Sequence, residues 1–128
     1  MGCDIHGHIE VRYHTDTNWY HSVPIEGKRC YNIFARLADV RNYGGVEAFN
    51  PRGFPKDISR ITYDRFSEWK TDAHSCSFVS VDEFEEILNK AKTQSPYGIP
   101  VDYKAALAYM KAFVDDGYEV RLVFWFDN

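Results

Sequence analysis

No Cys-x-x-Cys pair occurs in this chain, and its three cysteines, Cys3, Cys30 and Cys76, are an odd number. That pattern argues against a disulfide framework and a zinc ribbon, and the three are expected as reduced thiols. No apolar run approaches the roughly 20 residues of a bilayer-spanning helix. The start, Met1-Gly2-Cys3-Asp4-Ile5-His6, lacks the basic and apolar regions of a signal peptide, and His6 stands where a myristoylation motif asks for Ser or Thr. A cytosolic chain without a membrane partner is the expectation. Basic charge is not in excess either. Fifteen Lys and Arg against 19 Asp and Glu leave a net charge of −4, which argues against the cationic footprint that duplex nucleic acid requires. A nucleophile elbow, a Walker loop, a dinucleotide fingerprint, an HExxH helix and internal repeats are all missing. Small ligands and protein surfaces remain as partners.

What the chain has is aromatic mass, with nine Tyr, nine Phe and three Trp, and 45% hydrophobic residues in a length of 128, enough for one compact domain. From Asp4 to His14 the pattern alternates. Ile5, Gly7, Ile9, Val11 and Tyr13 fall on one side, and Asp4, His6, His8, Glu10 and Arg12 on the other, which predicts a half-buried strand. Trp19 to Val23 reads as the return strand of a hairpin, stopped by Pro24. Asn32 is placed to cap a short helix through about Val40. The Gly- and Pro-punctuated stretch from Arg41 to Arg60 reads as an ordered loop, and Ile61 to Trp69 is ambiguous between helix and strand. Ser80-Val81-Asp82-Glu83 is a capping box before Phe84, Ile87, Leu88 and Ala91, and a further helix begins near Asp102 and ends before Gly117. Glu119 to Phe126 is apolar on both faces, as a central strand would be. The expected architecture is a single-domain α+β fold, a small antiparallel or mixed sheet with about three helices packed on one side.

Period-two geometry lines up the Asp4 carboxylate with the His6 and His8 imidazoles, a set that can bind a divalent ion such as Zn, Mn or Mg. The same row can equally be a solvated strand face. In the Trp69 to Ser77 segment, Asp72 and His74 can supply two more metal ligands or act as an acid/base pair, and Ser75 can bond a phosphate. The alternative there is turn chemistry before a helix. Arg41 and Arg52 in the Gly/Pro loop are candidate anion contacts, and Tyr43, Phe49 and Phe54 are candidate stacking rings. The metal reading expects the two stretches to face one shared cavity that brings Asp4, His6, Asp72 and His74 together, with Asp127 at the chain's end a further candidate for it. His14 and His21 match no spacing and read as surface residues.

The start Met1 to His6, Tyr31-Asn32-Ile33-Phe34-Ala35-Arg36-Leu37-Ala38-Asp39-Val40-Arg41-Asn42, Pro51-Arg52-Gly53-Phe54-Pro55, Trp69-Lys70-Thr71-Asp72-Ala73-His74-Ser75 and Phe124-Trp125-Phe126-Asp127-Asn128 resemble a family of small, mostly uncharacterised bacteriophage and prophage proteins over nearly the whole chain. It departs from that family at Phe54, where leucine is usual, and at Cys76-Ser77, where a His-Ser-like pair is usual. The resemblance implies an accessory factor acting in the cytosol of an infected bacterial host. Three readings follow: a metal-dependent hydrolase of a phosphorylated or nucleotide-like small molecule, a non-catalytic protein that sequesters a small anionic ligand or blocks a host protein, and metal-free acid/base cleavage by His6 and His74.

Overall fold

Which chemistry each face of the sheet receives follows from the register of the first strand, because neighbouring side chains alternate across it. The computed structural model describes residues 2–69 and 71–128, so Met1 of the Met-Gly start and Lys70 of the Trp69 to Ser77 segment lie outside it. Strand β1 (Asp4–Tyr13) returns as strand β2 (Tyr20–Ile25), followed by helix α1 (Tyr31–Ala38) and helix α2 (Arg60–Ser67). Strand β3 (Ala73–Ser80), helix α3 (Val81–Thr93), helix α4 (Val101–Asp115) and strand β4 (Tyr118–Asp127) complete the order. The sheet runs β2-β1-β4-β3 with every pair antiparallel, so the fold is the expected small α+β domain with the C-terminal strand at its centre.

On one face Ile5, Gly7, Ile9 and Val11 lie opposite Phe126, Phe124, Leu122 and Val120. Helices α1, α3 and α4 close over this face with Phe34, Leu37, Phe84, Leu88, Tyr103 and Met110 to form the core. Gly7 is required by close approach. A Cβ there would lie 2.3 Å from the Val123 carbonyl oxygen, where no side chain fits. The other face carries His6, His8, Glu10 and Arg12 opposite Trp125, Val123, Arg121 and Glu119.

Helices on one side only is the first expectation that the structure corrects. α2 and the segment before it cover the second face, with Phe66 and Phe54 edge-on to Trp125 at 5.6 and 6.2 Å and Thr62 bonded to His8. A face that carries Trp125 and Val123 has too much apolar area to stay wet. The ambiguous segment is thus helical, and Ser59 caps it by accepting from the Thr62 amide. At α1 the N-cap is Cys30, not Asn32, which sits in the first turn with its side-chain oxygen accepting from Arg36 Nε at 2.9 Å. β2 also runs through Pro24 to Ile25, which an edge strand tolerates because the missing donor would have faced outward. No helix among the described residues is long and apolar enough to cross a membrane.

The larger surprise is β3, an edge strand where turn chemistry was one of the readings. Its outer side is covered by the Gly/Pro loop: Gly53 N donates to Cys76 O and Arg52 N to Ser77 Oγ. The Arg52 guanidinium then forks onto both Glu83 oxygens at 2.8 and 2.6 Å and onto the Phe78 carbonyl. Glu83 is also the reciprocal member of the α3 capping box, so one carboxylate ties loop, strand and helix together. The guanidinium, with the cap amide behind it, holds the Glu83 carboxyl down at about 2. Its stabilisation is therefore whole above the ordinary 4.5 and is lost as pH falls towards 2. Arg52→Ala is expected to lower stability by about 1–2 kcal/mol in urea denaturation at neutral pH, and by less near pH 2. An unchanged midpoint would return Arg52 to the role of a ligand contact.

Candidate functional site

Asp4, His6 and His8 do share one face, as alternation requires, but each is engaged separately. The exposed Asp4 carboxylate is forked by Arg29 at 2.7 and 3.2 Å, which holds its pKa below the ordinary value. His6, 7% exposed, stacks on Trp69 at 4.1 Å between ring centroids. Its Nε2 lies 3.3 Å from Asp127 Oδ2 and its Nδ1 3.6 Å from Glu26 Oε1, neither with good hydrogen-bond geometry. His8 Nδ1 bonds Thr62 Oγ1 at 2.9 Å, and its ring meets that of His21 at 4.1 Å. His21 is accordingly half-buried rather than a surface histidine, whereas His14 is exposed.

The mid-chain candidates do not join this row. His74 pairs with Phe126 in the register, so it projects from the opposite face and stacks on that ring at 6.2 Å. A strand also intervenes, and two strand spacings separate β1 from β3 by about 10 Å. β3 carries an extra residue between His74 and Ser77, and Ser75 there takes a left-handed φ of 56° with its hydroxyl 3.0 Å from His74 Nδ1. Asp72 is exposed in the preceding turn, with its amide on the Trp69 carbonyl. The expected shared cavity of Asp4, His6, Asp72 and His74 is therefore not formed. Among the described residues no group of three His, Cys, Asp or Glu side chains is arranged to hold a metal ion. Asp127, the terminal candidate, is the one that meets His6.

The rest of the polar face is a closed network. Glu10 accepts from Arg121 Nε at 2.8 Å through one oxygen and from the Ser59 amide at 3.0 Å through the other. Arg121 continues to the Asp57 carboxylate and carbonyl and lies 4.0 Å over the Trp19 ring. Trp19 donates in turn to Asp57, whose pKa is lowered chiefly by the Arg121 bond. These satisfied groups fasten the loop before α2 to the sheet.

One buried charge is different. Arg36 lies on α1 with 5% exposure, and its bonds go to neutral amides: Nε to Asn32 Oδ1 and Nη2 to Gln94 Oε1 at 2.5 Å. No carboxylate lies within ion-pair distance of it among the described residues. The carbonyl ends of α1 and α3 supply partial negative charge, but not a full counter-ion. Arg36 lines a cleft of about 410 Å³ between α3 and the loop over residues 44–47, which contributes Gly44, Gly45 and Val46. Glu47, the carboxylate in that lining, is taken up by Lys90 at 3.1 Å, and Lys90 also holds Glu86 at 3.0 Å. Asn42 holds the loop in shape by bonding the Val46 amide and carbonyl and the Asp39 carboxylate. Arg41 stands at its start with φ 52° and its guanidinium 5.5 Å over Tyr31.

Arg36, Lys90 and Gln94 escaped the sequence reading. The one available signal was the i, i+4 spacing of Asn32 and Arg36, which puts amide and guanidinium on one side of α1. Comparisons of the chain with protein-family models, curated proteins and solved structures find no match.

Proposed function

We propose that the protein binds a small anionic molecule without turning it over, and that Arg36 receives the anion in the cleft under the 44–47 loop. The observation that carries this reading is a buried guanidinium with no carboxylate partner on the wall of an open cleft. Burying a charge against neutral amides alone is costly, and a phosphate or carboxylate that forks onto the guanidinium offsets that cost. Hydrolysis around a divalent ion would need Asp4, His6 and His74 to converge, with His8, Asp72 or Asp127 as further ligands, and acid/base cleavage would need His6 and His74 to face one phosphate. Their division between opposite faces favours capture over chemistry. In the phage setting that the resemblance implies, capture of a host-cell metabolite in the bacterial cytosol is the corresponding role.

Inorganic phosphate or pyrophosphate titrated into the protein is expected to shift amide resonances of residues 44–47 and to raise the melting temperature. Gly44→Asp places a carboxylate at the mouth where a Cβ meets only Val46 Cγ1 at 4.0 Å, so the fold should be undisturbed. Binding should nevertheless weaken at least about tenfold. No response of those residues up to ~10 mM of either anion would end this proposal.

A further inference from the structure

We infer that the anion is the phosphate end of a ligand that also carries a flat ring, a nucleoside monophosphate in the simplest case, and that the ring rests on Tyr43. This rests on the reading of Arg36 above. Across Gly44 and Val46 the anion cleft adjoins a second depression of about 170 Å³ lined by Tyr31, Arg41 and Tyr43. Together the two fall within the range of roughly 300–1,000 Å³ usual for small-ligand sites.

Tyr43 is 79% exposed, which core packing does not explain. The loop that presents it is closed by the Asn42 bonds to Asp39 and Val46 and by the Tyr43 amide on the Arg41 carbonyl. The bonds brace the backbone that carries the ring, so the loop has little freedom left to lose when a flat group settles on Tyr43. Gly44 separates the two depressions. Its φ is not left-handed and a Cβ would meet almost nothing, so neither backbone nor packing demands glycine there. Its bare backbone leaves the passage between anion and ring open.

Calorimetric titrations with inorganic phosphate, ribose 5-phosphate and the four common nucleoside monophosphates separate the two readings. At least one nucleotide is expected to bind about tenfold or more tighter than ribose 5-phosphate. Tyr43→Ala should remove that gain while leaving ribose 5-phosphate affinity unchanged, and Tyr43→Phe should keep it. Should the sugar phosphate and every nucleotide bind alike, with Gly44→Asp weakening all of them, the ring site is refuted and the anion site stands. A gain that survives Tyr43→Ala also refutes it. Absence of binding by every probe removes both.

Discussion

Arg121→Ala is expected to lower the free energy of unfolding by about 3–5 kcal/mol. Glu10 is wholly buried, and Arg121 is the cation that faces it across the β1–β4 pair. Removing the guanidinium leaves a buried carboxylate with only the Ser59 amide as donor. It also strips Asp57 of two bonds and Trp19 of the cation on its ring, so the loop before α2 loses its anchor. The destabilisation should be mostly an unpaired-charge effect, because a buried pair contributes little net energy once desolvation is counted. The double variant Arg121→Met with Glu10→Gln should therefore recover at least half of the loss in urea denaturation. If the double variant is as unstable as the sum of the singles, the loss lies in packing, and the electrostatic account fails.

Acidification from pH 7 to pH 4 is expected to remove up to ~3 kcal/mol of stability through His8 alone. Burial, reinforced by the neighbouring His21, depresses the His8 pKa from 6.5 to about 4. Between those values the unfolded chain holds a proton that the folded chain refuses, so stability is whole above 6.5 and declines as pH falls through the window. Below it, the decline passes to Glu83 and its bond to Arg52. Urea midpoints measured at intervals between pH 7.5 and pH 4 give the slope. His8→Gln, which keeps a polar group for Thr62 but cannot take up a proton in this range, should flatten it. An unchanged slope in that variant assigns the acid sensitivity elsewhere.

The fate of the Asp/His candidates shows how far one strand's pattern reaches. Alternation over Asp4 to Tyr13 correctly placed Asp4, His6, His8 and Glu10 on one face, because that depends on a local period. Whether His74 joined them depended on a register set one strand away, where pairing with Phe126 and an extra residue before Ser77 decide its face. Arg52 followed the same logic. A guanidinium beside a glycine in a punctuated loop suits an anion, yet the nearest anion in the fold is Glu83, 31 residues away and already identifiable as a capping-box member. Arg36 went unnoticed because one arginine inside an amphipathic helix has the same local signature whether its head reaches water or is trapped between α1 and α3.

The sequence by itself determined the elements with strong periods and caps: β1, the capped helix α3, the helix that ends before Gly117, and a C-terminal strand apolar on both sides. These are settled by interactions between residues a few positions apart, which any window of the chain contains. Only the tertiary structure decided that α2 covers the second face, that β3 is a strand, that Glu10 and Arg121 neutralise each other across the sheet, and that Arg36 is buried without a carboxylate. Each of those depends on which distant group arrives beside a side chain, and a charge's role is set by that neighbour rather than by its own position in the chain.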